Sequence, residues 1–262
     1  MHAPPFFSIA GRLSTDGLVE VAALRDFAMR GAPDASQRSL TSSEDWAETA
    51  AFTEAVLAGD ARGAMVLVNS CMARGDSLVA VEVHVMQPAL YRIGVLWQEN
   101  KLSMVQEHLA TAVVQSVMTS ALLRTSAPAA IGRRVVLAAV AGNQHVLGLR
   151  MVADAFQLAG WDVDYLGANV PTTMLVEQVA ASAPDLLGLS VAFAHQLPEV
   201  NATLAQLRAR CGDATPPVLI GGVAIRQFEL LARSLGASAF GLDADAAVAE
   251  ASRLVAARPA RA

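Results

Sequence analysis

The sequence predicts an α/β protein in two parts, a four-helix bundle cap followed by a doubly wound, parallel, five-stranded sheet. Three observations predict it. Between Ser43 and Arg124, apolar residues recur at helical spacing in four stretches joined by short turns. From Arg134 onward, short apolar runs alternate with helical stretches, the pattern of successive βαβ units. Hydrophobic residues make up 54% of the chain and charged residues only 16%, which suits packed helices around a sheet buried on both faces.

Residues 1–45 contain Pro4, Pro5, Gly31 and Pro33 among small polar residues, and only Leu18 to Met29 has helical spacing. This segment reads as a flexible N-terminal arm. The bundle is expected over residues 46–125. Its first helix offers Trp46, Phe52, Val56 and Leu57 to a core and ends at Gly59. The second runs from about Asp60 to Ala73, and the third from Ser77 to about Gln98. The fourth opens on Ser103-Met104-Val105-Gln106, a capping box in which the Ser and Gln side chains satisfy unpaired backbone donors. It continues to Arg124, and Thr125 to Gly132 reads as a linker. The sheet region is expected over residues 133–262, with strands at 134–140, 162–166, 186–190, 218–220 and 237–241. Helices are expected near 147–159, 172–183, 196–210, 224–235 and 244–256.

A net charge of −5 and a pI near 5.5 argue against a phosphate-binding surface. Arg25, Arg30 and Arg38 are scattered among acids, so no direct nucleic-acid binding is expected. The longest apolar run, Val135 to Ala141, is far below the about 18 to 20 residues needed to cross a bilayer. Met1 to Leu13 lacks the basic and apolar regions of a secretory signal, so a cytoplasmic location and no membrane contact are expected. Cys71 and Cys211 lack C-x-x-C spacing and read as structural thiols.

In a doubly wound sheet, ligands bind beyond the carboxyl ends of the strands. The first strand runs into Ala141-Gly142-Asn143-Gln144-His145-Val146-Leu147-Gly148, which places an imidazole at that edge. Gly142 permits a tight turn there. A structural histidine is the default reading of an isolated residue at this place. A nucleotide site lacks its G-x-G-x-x-G fingerprint, and a phosphorylated receiver lacks its strand-end carboxylates.

Four elements in order, covering about residues 133 to 245, carry a resemblance to cobalamin-binding proteins. Asn143, His145 and Gly148 stand where that family has D-x-H-x-x-G. Leu166-Gly167-Ala168-Asn169-Val170-Pro171 resembles its L-G-x-x-V-P segment, and Ser190 and then Gly221-Gly222 match its serine and paired glycines. The resemblance implies a Rossmann-like cobalamin-binding domain in which His145 is the lower cobalt ligand. Leu166, Gly167 and Val170 would join it at the cofactor, and the displaced nucleotide tail would enter a slot lined by Ser190, Gly221 and Gly222. Imidazole is a good cobalt ligand. The family's aspartate is replaced by Asn143, whose side-chain oxygen can orient His145 but supplies no negative charge.

In the bundle, Trp97, Glu107 and His108 form W-x9-E-H, which resembles the helical cap of CarH-like cobalamin photoreceptor regulators over about residues 50 to 124. The resemblance implies that Trp97 shields the upper axial group and that His108 reaches cobalt once that group is lost. Adjacent helical residues point about 100° apart, so Glu107 and His108 can flank one pocket or stand merely solvated. His84 reads as a helix-contact residue, and His195 as a loop residue near the ligand edge.

The whole resembles the shorter AerR-type antirepressors. That resemblance implies a regulator, not an enzyme, responsive to light or redox state through hydroxocobalamin or adenosylcobalamin. Its expected partner is a DNA-bound transcriptional repressor of photosystem genes. The alternative is a corrinoid shuttle protein of a methyltransferase system. The sequence specifies no oligomeric state.

Overall fold

The computed structural model describes residues 46–126, 128–227 and 235–256, all of which belong to one compact unit. The arm expected over residues 1–45, its Leu18 to Met29 helix and most of the stretch expected as a helix over 224–235 lie outside the described residues.

The helical part comprises α1 (Glu48–Leu57), α2 (Ala61–Ala73), α3 (Leu78–Val81), a π turn (Glu82–Met86), α4 (Gln87–Gln98) and α5 (Met104–Arg124). Local chemistry sets its starts. Asp60 Oδ1 accepts the Gly63 N–H at 2.8 Å, and Ser77 Oγ accepts the Ala80 N–H at 3.1 Å. The capping box at α5 forms as expected: Ser103 Oγ accepts the Gln106 N–H, and Gln106 Oε1 accepts the Ser103 N–H at 2.9 Å.

The helix expected to run unbroken from Ser77 to Gln98 is interrupted by the π turn, and Pro88 supplies a reason. It has no N–H to donate to the His84 carbonyl four residues back. That carbonyl instead accepts the Thr49 hydroxyl at 3.0 Å and the Trp46 N–H at 3.5 Å, which ties the π turn to the start of α1. The His84 ring stacks on Trp46 at 5.3 Å, so His84 is the helix-contact residue expected. Trp46 itself is only half-buried, whereas Phe52 and Val56 are fully buried.

The sheet is wholly parallel, in the order β2-β1-β3-β4-β5, with β1 (Arg134–Ala139), β2 (Asp162–Gly167), β3 (Leu186–Ser190), β4 (Val218–Gly221) and β5 (Ala239–Gly241). Between the strands run α6 (Leu147–Leu158), α7 (Thr172–Ser182), α8 (Leu197–Cys211) and α9 (Val223–Gln227), and α10 (Ala244–Ala256) follows β5. β1 alternates between two cores: Val135, Leu137 and Ala139 pack with α6 and α10, and Val136 and Ala138, with Val140 just after the strand, pack with α7 and α8. Because both faces are covered, β1 reads as a continuous apolar run. The helical part seats on the α6 side. Met151 and Ala155 of α6 and Ala244 of α10 are buried in the same core as Phe52, Val68, Met86 and Met118. Cys71 is buried in that core, and burial raises its thiol pKa; Cys211 is only half-buried. No helix among the described residues is long and apolar enough to cross a membrane.

Candidate functional site

The strand order reverses direction between β1 and β3, and the loops after these two strands flank the resulting crevice. His145 lies in the first of them. Gly142, at φ 78°, turns the chain out of β1, and both polar groups of its backbone are held by side chains from other strand-end loops. Its N–H donates to Asn169 Oδ1 at 2.7 Å, and its carbonyl accepts Gln196 Nε2 at 3.0 Å. Asn169, itself at φ 50°, returns its own N–H to the Asn143 carbonyl at 2.9 Å.

Asn143 is fully buried. Its Nδ2 donates to the Ser190 carbonyl at 3.0 Å, and its Oδ1 accepts the backbone N–H of His145 at 3.0 Å. The Asn143 side-chain oxygen, expected to orient His145, does hold that residue, through its backbone N–H and not its ring, and the side-chain nitrogen ties the end of β1 to the end of β3. Among the described residues neither ring nitrogen of His145 has a hydrogen-bond partner. The ring is exposed and packs edge-to-face with Phe193 at 4.9 Å, and Phe193 stacks on His195 at 5.5 Å.

The other residues singled out in the sequence fall at the same edge. Leu166 and Val170 pack on the α7–α8 side of the sheet, and Gly167 has φ 77° at the end of β2. Ser190 is buried at the end of β3. The paired glycines answer first to backbone crowding: a Cβ on Gly221 would lie 2.8 Å from the Gly241 carbonyl oxygen, and one on Gly222 would lie 2.3 Å from that of Val191. Gly148 differs, because a Cβ there meets nothing within 4 Å.

In the helical part, Glu107 Oε2 bonds His108 Nδ1 at 2.5 Å, and Glu107 Oε1 accepts the Thr111 hydroxyl at 2.9 Å. Residues that the sequence left as either a pocket pair or two solvated side chains thus form a bonded pair. His108 is exposed, and Trp97 is 48% exposed, with Met104 and Val105 also exposed nearby in sequence. No hydrogen bond or ring contact among the described residues joins Trp97, Glu107 or His108 to the His145 loop. Beyond the α6 contact, the helical part meets the sheet's ligand edge through Arg226 of α9, whose Nη1 donates to the Tyr91 hydroxyl at 3.4 Å. Asn169, Phe193 and Gln196 were not singled out from the sequence. Asn169 lies inside the L-G-x-x-V-P segment, and the other two stand three and six residues beyond Ser190, where polar and aromatic residues at a strand's carboxyl end were the available signal.

Residues 133–251 match the B12 binding domain family, and residues 49–121 match a second family of the same description. The chain is 30% identical over 209 residues to the HTH-type transcriptional repressor CarH of Myxococcus xanthus, covering 79% of this chain and 67% of that protein. The chain belongs to the B12-binding family. It is also 31% identical over 150 residues to the repressor CarA of the same organism, covering 57% of this chain and about half, 49%, of CarA. Dimethylamine corrinoid protein 1 of Methanosarcina acetivorans is 29% identical over 168 residues, 63% of this chain and 77% of that protein. The fold matches that of the Methanosarcina barkeri monomethylamine corrinoid protein, with a TM-score of 0.62 at 17% identity over 78% of this chain and 96% of that one.

Cobalamin is the cofactor of this B12-binding fold, and the residues present fit it. An exposed imidazole without a ring hydrogen bond stands at the switch point, on a loop fixed by buried amides, and the space at Gly142 and Gly148 is open. Neutral imidazole is a suitable donor to cobalt.

Proposed function

We propose that the chain is a cobalamin-dependent, light- or redox-responsive antirepressor that acts on a DNA-bound repressor of photosystem genes, as AerR-type proteins do, and that it is not itself an enzyme. One observation carries this reading: each structural layer presents an exposed imidazole, His145 at the sheet edge and His108 on α5, and His108 is already paired through Nδ1 with Glu107. The similarity to CarH over 209 residues supports it.

Cobalamin, when bound, would supply a cobalt centre with an exchangeable ligand. His145 would hold the cobalt through its imidazole. Trp97 would exclude water from the cofactor, and Gly148 would leave room for it. Ser190, Gly221 and Gly222 would receive its nucleotide portion, with Leu166, Gly167 and Val170 at the border. The Glu107 carboxylate keeps His108 Nδ1 occupied and so leaves Nε2 to bind cobalt, in the way a carboxylate fixes the tautomer of a metal-bound histidine. His108, bound to the cobalt in turn, would clamp the helical part onto the sheet. The partner's equilibrium shifts only by its difference in affinity for the clamped and unclamped states.

The measurement is the affinity of the cobalamin-loaded chain for the DNA-bound repressor in the dark and after illumination. A light-dependent difference that disappears in His108→Ala supports the antirepressor reading, and equal affinity in every cofactor state rejects it. The second reading, a corrinoid shuttle protein for a methyltransferase, is favoured by the similarity to dimethylamine corrinoid proteins. Methyl transfer from a methylated amine to the bound cobalamin by a partner methyltransferase would decide for it.

A further inference from the structure

His145 is an exposed side chain on a loop, and the group expected to orient it makes no hydrogen bond to its ring. Asn143 Oδ1 is occupied by the backbone N–H of His145, and neither ring nitrogen has a partner among the described residues. An unrestrained imidazole loses rotamer freedom when it binds a ligand, and that loss weakens binding. What restrains this ring is Phe193, edge-to-face at 4.9 Å with the two planes at 88°.

Phe193 is itself 43% exposed, so packing alone does not fix it. Its backbone does. Gln196, nearly fully buried, accepts the N–H groups of both Ala192 and Phe193 on Oε1 at 3.1 Å and donates through Nε2 to the Gly142 carbonyl at 3.0 Å. One amide therefore holds the start of the Phe193 loop and the turn leading to His145 at a fixed separation. His195 stacks on the same phenyl ring, with planes 11° apart at 5.5 Å.

We propose that Phe193, held in place by Gln196, is a positioning residue that sets the orientation of the His145 imidazole for cobalt. The inference rests on the reading of His145 as the lower ligand. It assigns to an aromatic contact the orienting task that a hydrogen-bonded carboxylate performs at many metal-bound histidines.

The test uses the full chain, first without cofactor and then with hydroxocobalamin. In the cofactor-free protein, the ring-proton resonances of His145 are assigned by comparison with His145→Ala and followed in Phe193→Leu and Phe193→Tyr. Phe193→Leu is expected to move these resonances and to weaken hydroxocobalamin binding roughly two- to tenfold, the range of an aromatic pair. The imidazole-ligated absorbance spectrum should also decrease at equal loading. Phe193→Tyr, which keeps the ring, is expected to restore all three. Gln196→Glu keeps the acceptor for Ala192 and Phe193 but cannot donate to Gly142 when ionised, and it is expected to weaken binding with the fold intact. Unchanged His145 resonances and affinity in Phe193→Leu, or a Tyr variant as impaired as Leu, would overturn the proposal. Undiminished ligation in His145→Ala would instead overturn the lower-ligand reading, and the cofactor-free spectra would still report the ring contact.

Discussion

The carboxyl groups of Glu82, in the π turn, and Asp154, on α6, lie within hydrogen-bonding reach of each other across the contact between the helices and the sheet. Both side chains are buried. Among the described residues, neither oxygen of Glu82 nor Oδ2 of Asp154 has a donor, whereas Asp154 Oδ1 accepts Arg150 Nε at 2.6 Å. A single proton resolves this arrangement. Held on Glu82, it leaves one charge, on Asp154, which Arg150 neutralises. Burial, reinforced by Asp154, pushes the Glu82 pKa up to about 10.

This pair makes the seating of the helices depend on pH. Folded Glu82 keeps its proton where the unfolded residue, with a pKa near 4.5, has lost it. Between these values the native state binds more protons, so the pair's contribution to stability falls as pH rises, by up to about 1.4 kcal/mol per pH unit. Urea unfolding at pH 5.5, 7.0 and 8.5 should show the wild type losing stability relative to Glu82→Gln at each step. Parallel pH profiles for the two proteins would contradict the shared proton.

Asn143→Asp makes a second test, because it restores the residue of the D-x-H-x-x-G pattern. Here Nδ2 donates to the Ser190 carbonyl, and a carboxylate in its place would set one acceptor against another in a buried site. A loss of about 1 to 3 kcal/mol is expected at pH 7.5 by chemical denaturation. Burial and the facing carbonyl raise the pKa of the new acid, so the loss should shrink as pH falls and it protonates. Wild-type stability at pH 7.5 would show that the loops do not need this bond.

Glycines of the matched motifs should respond in opposite ways. Gly148 lies in α6 with open space where a Cβ would be, so Gly148→Ala should add about 0.5 to 1 kcal/mol to stability while weakening cobalamin binding. Gly222, at φ 107°, would bring its Cβ to 2.3 Å from the Val191 carbonyl oxygen. Gly222→Ala should destabilise the cofactor-free protein by about 1 to 3 kcal/mol. Thermal unfolding and a binding titration on both variants check the contrast, which fails if Gly148→Ala binds cobalamin as the wild type does.

The elements were legible where local chemistry writes itself into adjacent residues. Ser103 and Gln106 marked the start of α5, the short apolar run of β1 marked a strand, and α10 begins and ends where its spacing says. The π turn was hidden, because Pro88 in the middle of the expected helix does not reveal that the carbonyl it abandons will be taken by Thr49. The His145 loop was legible from its place after β1, but the way it is held was not. Gln196 and Gly142 are 54 residues apart, and no periodicity links them. Asn143 was read through the chemistry of the ring beside it, while the backbone claims both of its polar groups. Glu82 and Asp154 were equally silent, since each alone is an acid on a helix and only packing makes them share a proton.

The most direct test of the two-imidazole account is an absorbance titration of the purified chain with adenosylcobalamin and hydroxocobalamin, in the dark and after illumination, with His145→Ala and His108→Ala alongside the wild type. The account predicts a spectral shift on binding that is lost in His145→Ala, and a second, light-dependent shift that is lost in His108→Ala. A wild type that produces no shift, or a light-dependent shift that persists without His108, would contradict it.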